Sequence, residues 1–532
     1  MRAGLKEELN EFWREYRRFA WALGLVILLV YGGRVIHDDF FLDSEIMILN
    51  PESMWYLWMG SNRFGMVATS RIFGLHRLSP WISNVLMACT MWCCGITLAF
   101  CAREWTGKCR RYRVFTRLFP ILFVTAPVFV EQYLFVLQSF EISFGILAAI
   151  LAAFCSDRFC RSDGFCRGGQ SWFWGILGLV LLVWSFGTYQ AMVPLYICLV
   201  LTAFFLGYLN GKAATALRYA LCQVCFFAAG IALYLAAVWV TRRMSGTDSV
   251  YVSGMVRWKI DGGSAGLTAI RDSMKNIFMS TSVFYRKYYT PAMVLCLIQA
   301  CWYGWNKKDG AGNFLWFLLG TALLILSPFY INIVTGSAQP VRTQLVYPIT
   351  SALFLAHLTV LPEKMPEAAG FLRSGGRALV SAAAAVCVFC GARQGTATAQ
   401  LFQTSYEVYR NDVLTAVRMY PDICRVADTD RIQDTAVIFT GGKSAGIKGP
   451  AVLGELAGRS MFEAEAHTPV GVSARVGRLF TILGMDMQVV SGDPQLYLQA
   501  TEYMESAPSW PAQGSIRKMD DIVVVKLSDS TV

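Results

Sequence analysis

Eleven apolar runs, most close to twenty residues long and parted by short charged loops, constrain this chain more than any other feature. About twenty apolar residues in a helix cross the hydrocarbon core of a bilayer, and only helices or closed barrels satisfy their backbone there. The runs are 19–36, 81–101, 117–134, 139–155, 172–187, 190–209, 217–241, 290–305, 313–334, 344–361 and 377–393. They predict an all-α polytopic membrane protein with about eleven transmembrane helices. Composition agrees, with 55% of the 532 residues hydrophobic and 16% charged. The first run is not a cleavable signal, because His37-Asp38-Asp39 stands where a small-residue cleavage site would be.

Charge sets the expected orientation. Arg2, Lys6, Arg14, Arg17 and Arg18 lie in segment 1–18 and place it in the cytoplasm by the positive-inside rule. Loop 103–117, with Arg103, Lys108, Arg110, Arg111, Arg113 and Arg117, belongs on the same side. Loops 156–171, 210–216, 306–312 and 362–376 alternate consistently with it. The transmembrane domain is then 19–393, with external loops 37–80 and 242–289. Two places strain the scheme. Gly187-Thr188-Tyr189 joins 172–187 to 190–209 so tightly that the two could be a re-entrant pair. Loop 242–289 falls outside although it carries Arg242, Arg243, Arg257, Lys259, Arg271, Lys275, Arg286 and Lys287. The net charge of +11 lies largely in short loops, which is topology and not a nucleic-acid footprint. The expected location is the cytoplasmic membrane, multi-pass.

From Gln394 the composition changes. Residues 394–532 contain no spanning run, and read as a small external α/β domain. Segments 435–440 and 521–527 have strand patterns, and Glu407 to Met419 has helical spacing. Most of the 16 cysteines sit in apolar runs as small hydrophobes. Four scattered histidines offer no metal cluster, so no metal site is assigned. Gly441-Gly442-Lys443-Ser444 lacks the upstream glycine of a phosphate loop. Transporter-type repeats are not visible.

The chemistry-bearing residues gather on the expected outer side. Asp38 and Asp39 open a loop rich in carboxylates and aromatics, where a base could meet a membrane-borne substrate. Glu131, Gln138 and Glu141 flank a short hairpin, Tyr189-Gln190 fills a turn, and Arg342 precedes a helix. Carboxylates with separate arginines suit a sugar phosphate, as a base for a hydroxyl and cations for a leaving phosphate.

The order Asp38-Asp39-Phe40, Ser61-Asn62-Arg63-Phe64, Ala126-Pro127 with Glu131, Tyr189-Gln190 and Pro340-Val341-Arg342-Thr343 resembles the serotype-converting O-antigen glucosyltransferases. These are polytopic enzymes of the GT-C class, and the resemblance covers about residues 15–395. One departure is Asn62 before Arg63, where the family more often has glycine. The resemblance implies a sugar, glucose by expectation, moved from a polyprenyl-phosphate donor to a hydroxyl of a surface glycan at the outer leaflet, with inversion. Asp38 or Asp39 would be the base. Arg342 and Arg63, with Arg242 and Arg243, would hold the phosphate, and Glu131, Gln138, Glu141, Tyr189 and Gln190 the sugar. No cofactor is fixed, and a divalent cation, magnesium or manganese, stays open. Implied partners are the bilayer, the donor, the glycan, a flippase and a polyprenyl-phosphate sugar synthase. The alternatives are a surface-polysaccharide polymerase or ligase, and a flippase or transporter of lipid-linked sugar.

Overall fold

The computed structural model describes residues 2–75, 80–161, 168–211, 216–247, 254–305, 311–360, 370–427, 433, 435–447, 449–463, 471–485 and 487–529. The chain opens with α1 (Arg2–Ile36), followed by the short helices α2 (Ser44–Leu49), α3 (Pro51–Gly60) and α4 (Phe64–Ile72). Helix α5 (Pro80–Trp105) leads to α6 (Phe115–Val124), α7 (Val128–Tyr133) and α8 (Ser139–Arg161). Then come α9 (Gly168–Thr188), α10 (Met192–Leu209), α11 (Ala216–Ser245) and α12 (Gly263–Met279). Helices α13 (Tyr289–Trp305), α14 (Ala311–Leu326), α15 (Tyr330–Thr335), α16 (Tyr347–His357) and α17 (Gly370–Ala427) complete the helical part.

Among the described residues seven helical stretches are long and apolar enough to cross a membrane. They are Leu5–Ile36, Pro80–Trp105, Val136–Arg161, Met192–Leu209, Leu217–Ser245, Gly312–Thr335 and Gly376–Ala427. The other four expected runs form shorter helices. The run at 117–134 is broken between α6 and α7 at Thr125-Ala126-Pro127, where proline supplies no backbone N–H. The run at 344–361 yields only the 11 residues of α16, and 290–305 the 17 of α13. Helix α9 is a shorter apolar helix, but α9 and α10 form no shallow re-entrant pair. Trp172 near the start of α9 packs on Phe159 of α8, and the end of α10 receives Arg111 on the Leu209 carbonyl, 2.9 Å away. Both helices therefore run the full depth from the Tyr189 turn to the end of the bundle that carries Arg103. The expected loops at 156–171, 210–216, 306–312 and 362–376 fall wholly or in part outside the described residues.

That Arg103 end is tied by ion pairs. Glu8, Glu11 and Glu15 recur at helical spacing on α1, so they share one face. Glu8 meets Arg158 at 2.6 Å, and Glu11 meets Arg103 at 2.9 Å. Higher up, Trp92 of α5 donates to the Ala20 carbonyl of α1 at 2.8 Å. This pairing fixes where the opposite end of α1, and Asp38 with it, must stand.

The composition change at Gln394 does not coincide with a break in the chain. Helix α17 runs through it unbroken for 58 residues, about 87 Å, several times what a bilayer crossing needs. Its distal part carries a four-stranded sheet of order β2-β1-β4-β3. The strands are β1 (Ala436–Thr440), β2 (Gln488–Val489), β3 (Ile516–Met519) and β4 (Ile522–Lys526). β1 and β4, the two expected strands, pair in parallel, and β3 closes on β4 antiparallel. β1 and β4 are buried on both faces, as strands covered on both sides must be. α18 (Gly471–Ile482) covers one face, with Phe480 stacked on Phe439, and α19 (Pro494–Tyr503) covers Ile438 on the other.

Candidate active site

The end of α1 places two adjacent carboxylates in different environments. Asp39 is buried and its Oδ2 lies 2.7 Å from Nη1 of Arg34, itself buried in the last turn of the helix. Arg34 also donates to the Asp39 carbonyl at 3.1 Å and to the Leu134 carbonyl at 3.4 Å. Asn84 of α5 donates to the Arg34 carbonyl at 3.0 Å, which caps a helix end that would otherwise leave that group unsatisfied. Asp38 is exposed and makes no hydrogen bond or ion pair with a described residue. Next to it, His37 stacks on Tyr406 of α17 at 3.6 Å. Asp38 is thus an open carboxylate beside a stacked pair, where Asp39 is a closed one.

The hairpin from α7 to α8 links this acid to a cation. Leu134 accepts from Arg34, and the ring of the next residue, Phe135, lies 5.5 Å from the Arg342 guanidinium. Arg342 sits in the 3-10 turn Val341–Thr343 and has no carboxylate partner among the described residues. The hairpin polar residues are buried: Glu131 and Glu141 are at most 1% exposed and Gln138 6%. The segment 451–461 is what covers Glu131. Its backbone N–H groups at Glu455, Leu456 and Ala457 donate to the Glu131 carboxylate at 2.8, 2.8 and 3.2 Å. Glu131 thus holds backbone in the structure, where sugar hydroxyls were expected. Glu455 in turn accepts from the Val341 N–H at 2.7 Å, and Asp412 of α17 takes Ser460 and Met461 at 2.6 and 2.7 Å. Below this strap, Asp39, Ser405, Tyr409 and Asp412 border a cavity of about 10 Å³, room for one water and not for a hexose.

A second cluster gathers four more of the expected residues. Asn62 has φ 62°, a left-handed conformation that glycine adopts freely and asparagine tolerates best among the rest. Unlike glycine, Asn62 offers a side chain, and its Oδ1 accepts from Nε and Nη2 of Arg242 at 2.9 and 2.7 Å. The Arg63 guanidinium lies 4.9 Å over the Tyr189 ring, and Gln190 donates to the Ser61 carbonyl. Tyr234 adjoins Gln190 and both arginines. Close helix approach makes this possible: a Cβ on Gly65 would lie 2.6 Å from the Trp184 carbonyl oxygen, and one on Gly187 2.5 Å from the Phe64 ring. Nε of Arg63 is occluded without a hydrogen-bond partner, so the cluster retains donor capacity for an anion.

Two expected residues stand apart. Arg243 is exposed and lies 4.6 Å over Trp239, away from the Arg242 interaction. Glu141 is buried near Ser70, and neither carboxylate oxygen has a hydrogen-bond partner within 3.5 Å among the described residues. Two further residues of these contacts escaped the sequence reading. Arg34 was legible as the lone cation in the last turn of the first apolar run, and Asp412 gave no signal. Glu45, one of the carboxylates of loop 37–80, is buried. Burial pushes the Glu45 carboxyl up, with Asp43 adding to this, while Arg478 at 3.4 Å pulls the other way. Among the described residues no group of three or more His, Cys, Asp or Glu side chains is placed to hold a metal ion.

A family model described as Glucosyl transferase GtrII matches residues 34–360, from Arg34 to the residues after α16. No curated protein and no solved structure matches the chain.

Proposed function

The chain belongs to the glucosyl transferase GtrII family, and from that premise we propose a membrane glycosyltransferase that takes glucose from a polyprenyl-phosphate donor. The acceptor is a hydroxyl of a surface glycan such as O-antigen, and the face is the outer one. Asp38 receives the acceptor's proton as its oxygen attacks C1 of the sugar. The C1–O bond to phosphate breaks, and polyprenyl phosphate leaves with the electron pair. One displacement inverts the anomeric centre. Positioned general-base catalysis of this kind contributes about 10²–10⁴-fold.

The observation that carries this reading is the contrast between Asp38, open and unpaired, and Asp39, locked on Arg34. Arg342 and Arg63 supply positive charge to the departing phosphate, where developing charge is best met by fixed cations. In this reading the Arg103 end is cytoplasmic and the sheet external. The test is a purified-protein assay with synthetic polyprenyl-phosphate glucose. Loss of sugar from the lipid that requires a glycan acceptor supports the transferase. An intact donor with acceptor present contradicts it.

A further inference from the structure

Arg286 is a cation without an anion. It lies between α12 and α13, and its Nε and Nη2 are closed off with no hydrogen-bond partner among the described residues. Its backbone N–H donates to the Tyr347 hydroxyl at 2.8 Å, which fixes the residue in place. The groups that act on it most are Tyr288, Tyr347, Arg393 and Cys390, and no carboxylate stands among them. Burial pushes the Arg286 guanidinium down from its ordinary value, and Arg393 adds to this. Two neighbouring arginines with no carboxylate partner among the described residues are unfavourable unless an anion joins them.

The surroundings indicate what kind of anion. Gln394, next to Arg393, donates to the Tyr288 hydroxyl and accepts from Thr125 at 3.0 Å. Thr125 also lines a groove of about 790 Å³ between α1, α6 and α17. The groove is walled by Val26, Leu29 and Val30 on one side and by Gly391 and Gly395 on the other. It is mostly apolar and runs along α1 and α17, both of membrane-crossing length. Gln394 therefore links Thr125 of the groove wall to Tyr288, a neighbour of Arg286.

We propose that Arg286 and Arg393 seat the phosphate of a membrane lipid whose hydrocarbon chain lies in this groove. The transferase reading enters only in naming that lipid: the polyprenyl-phosphate carrier shares its phosphate chemistry with bulk phospholipid. Arg286 supplies a guanidinium with two occluded donors, suited to a phosphate oxygen, and Arg393 supplies the second charge.

The experiment uses the full chain in detergent, with binding of a short-chain polyprenyl monophosphate and of phosphatidylglycerol measured separately by native mass spectrometry. Arg286→Gln and Arg393→Gln each weaken binding by about tenfold, the worth of one charge-assisted contact. Arg286→Lys retains most of it. Arg393 is exposed, so its variant keeps the fold even where Arg286→Gln does not. A fall confined to the prenyl phosphate assigns the seat to the carrier, and a fall in phosphatidylglycerol binding, alone or as well, assigns it to membrane lipid phosphate in general. Unchanged binding of both lipids to the double variant overturns the proposal. Wild-type protein that binds prenyl phosphate through these arginines but never consumes polyprenyl-phosphate glucose would sink the transferase reading alone.

Discussion

Arg34 and Asp39, five residues apart across the end of α1, form a buried ion pair of 2.7 Å that leaves Asp38 facing outward. The pair is a fixture of the helix end. Asp39→Asn leaves the Arg34 charge buried without its partner, and breaking such a pair costs about 3–5 kcal/mol. A thermal-unfolding measurement in detergent should show Asp39→Asn clearly destabilised. Replacing both residues, as in Arg34→Met with Asp39→Leu, should recover most of the loss. Equal stability of Asp39→Asn and wild type would remove Asp39 from this structural role.

The strap over the hairpin gives a second expectation. Glu131→Ala leaves the N–H groups of Glu455, Leu456 and Ala457 without their acceptor. Each unsatisfied buried donor costs about 1–3 kcal/mol, so the segment should detach locally before the bundle unfolds. Hydrogen exchange at amides 455–457 is the readout, with faster exchange in Glu131→Ala and a smaller change in Glu131→Gln. Unaltered protection would show that other contacts hold the strap.

Much of the helical part was legible because apolar run length maps directly onto bilayer-crossing helices. The break at Pro127 and the 11-residue α16 were not, since apolar composition continues through both. Of the candidate site, Asp38, Tyr189, Gln190, Arg242 and Arg342 could be picked out as polar residues at or near run ends, and Arg63 as a cation in loop 37–80. What the sequence could not order was the neighbouring pair Asp38 and Asp39, which the geometry of Arg34 alone distinguishes. Asn62 looked like a weakening of the family pattern, yet its left-handed backbone fills the role of a glycine and its amide holds Arg242. Contacts such as Glu131 with Glu455 join residues 324 apart and leave no local trace.

Asn62 also supports a prediction. Asn62→Gly keeps the backbone conformation and removes the acceptor for Arg242, whereas Asn62→Ala strains the backbone as well. If Arg242 must be held for substrate binding, Asn62→Gly raises KM for the donor several-fold at little cost in stability. Wild-type KM in this variant would reduce Arg242 to a packing role.

Arg342, over Phe135 and without a carboxylate partner, should answer to charge more than to shape. Arg342→Ala lowers turnover well below Arg342→Lys, because a cation near the leaving oxygen survives in the lysine variant even where fork geometry is lost. Full activity of Arg342→Ala at normal expression would assign it to the hairpin packing.

In the proposed reaction Asp38 takes the acceptor's proton, and Asp38→Asn removes that acceptor while keeping the side chain's size. The side chain is exposed and unpaired, so the variant should melt within about 0.5 kcal/mol of wild type, as surface substitutions do. Its glycosyl transfer from polyprenyl-phosphate glucose should fall by about 10²–10⁴-fold, with donor binding retained. Transfer at the wild-type rate by a folded Asp38→Asn protein would contradict the account.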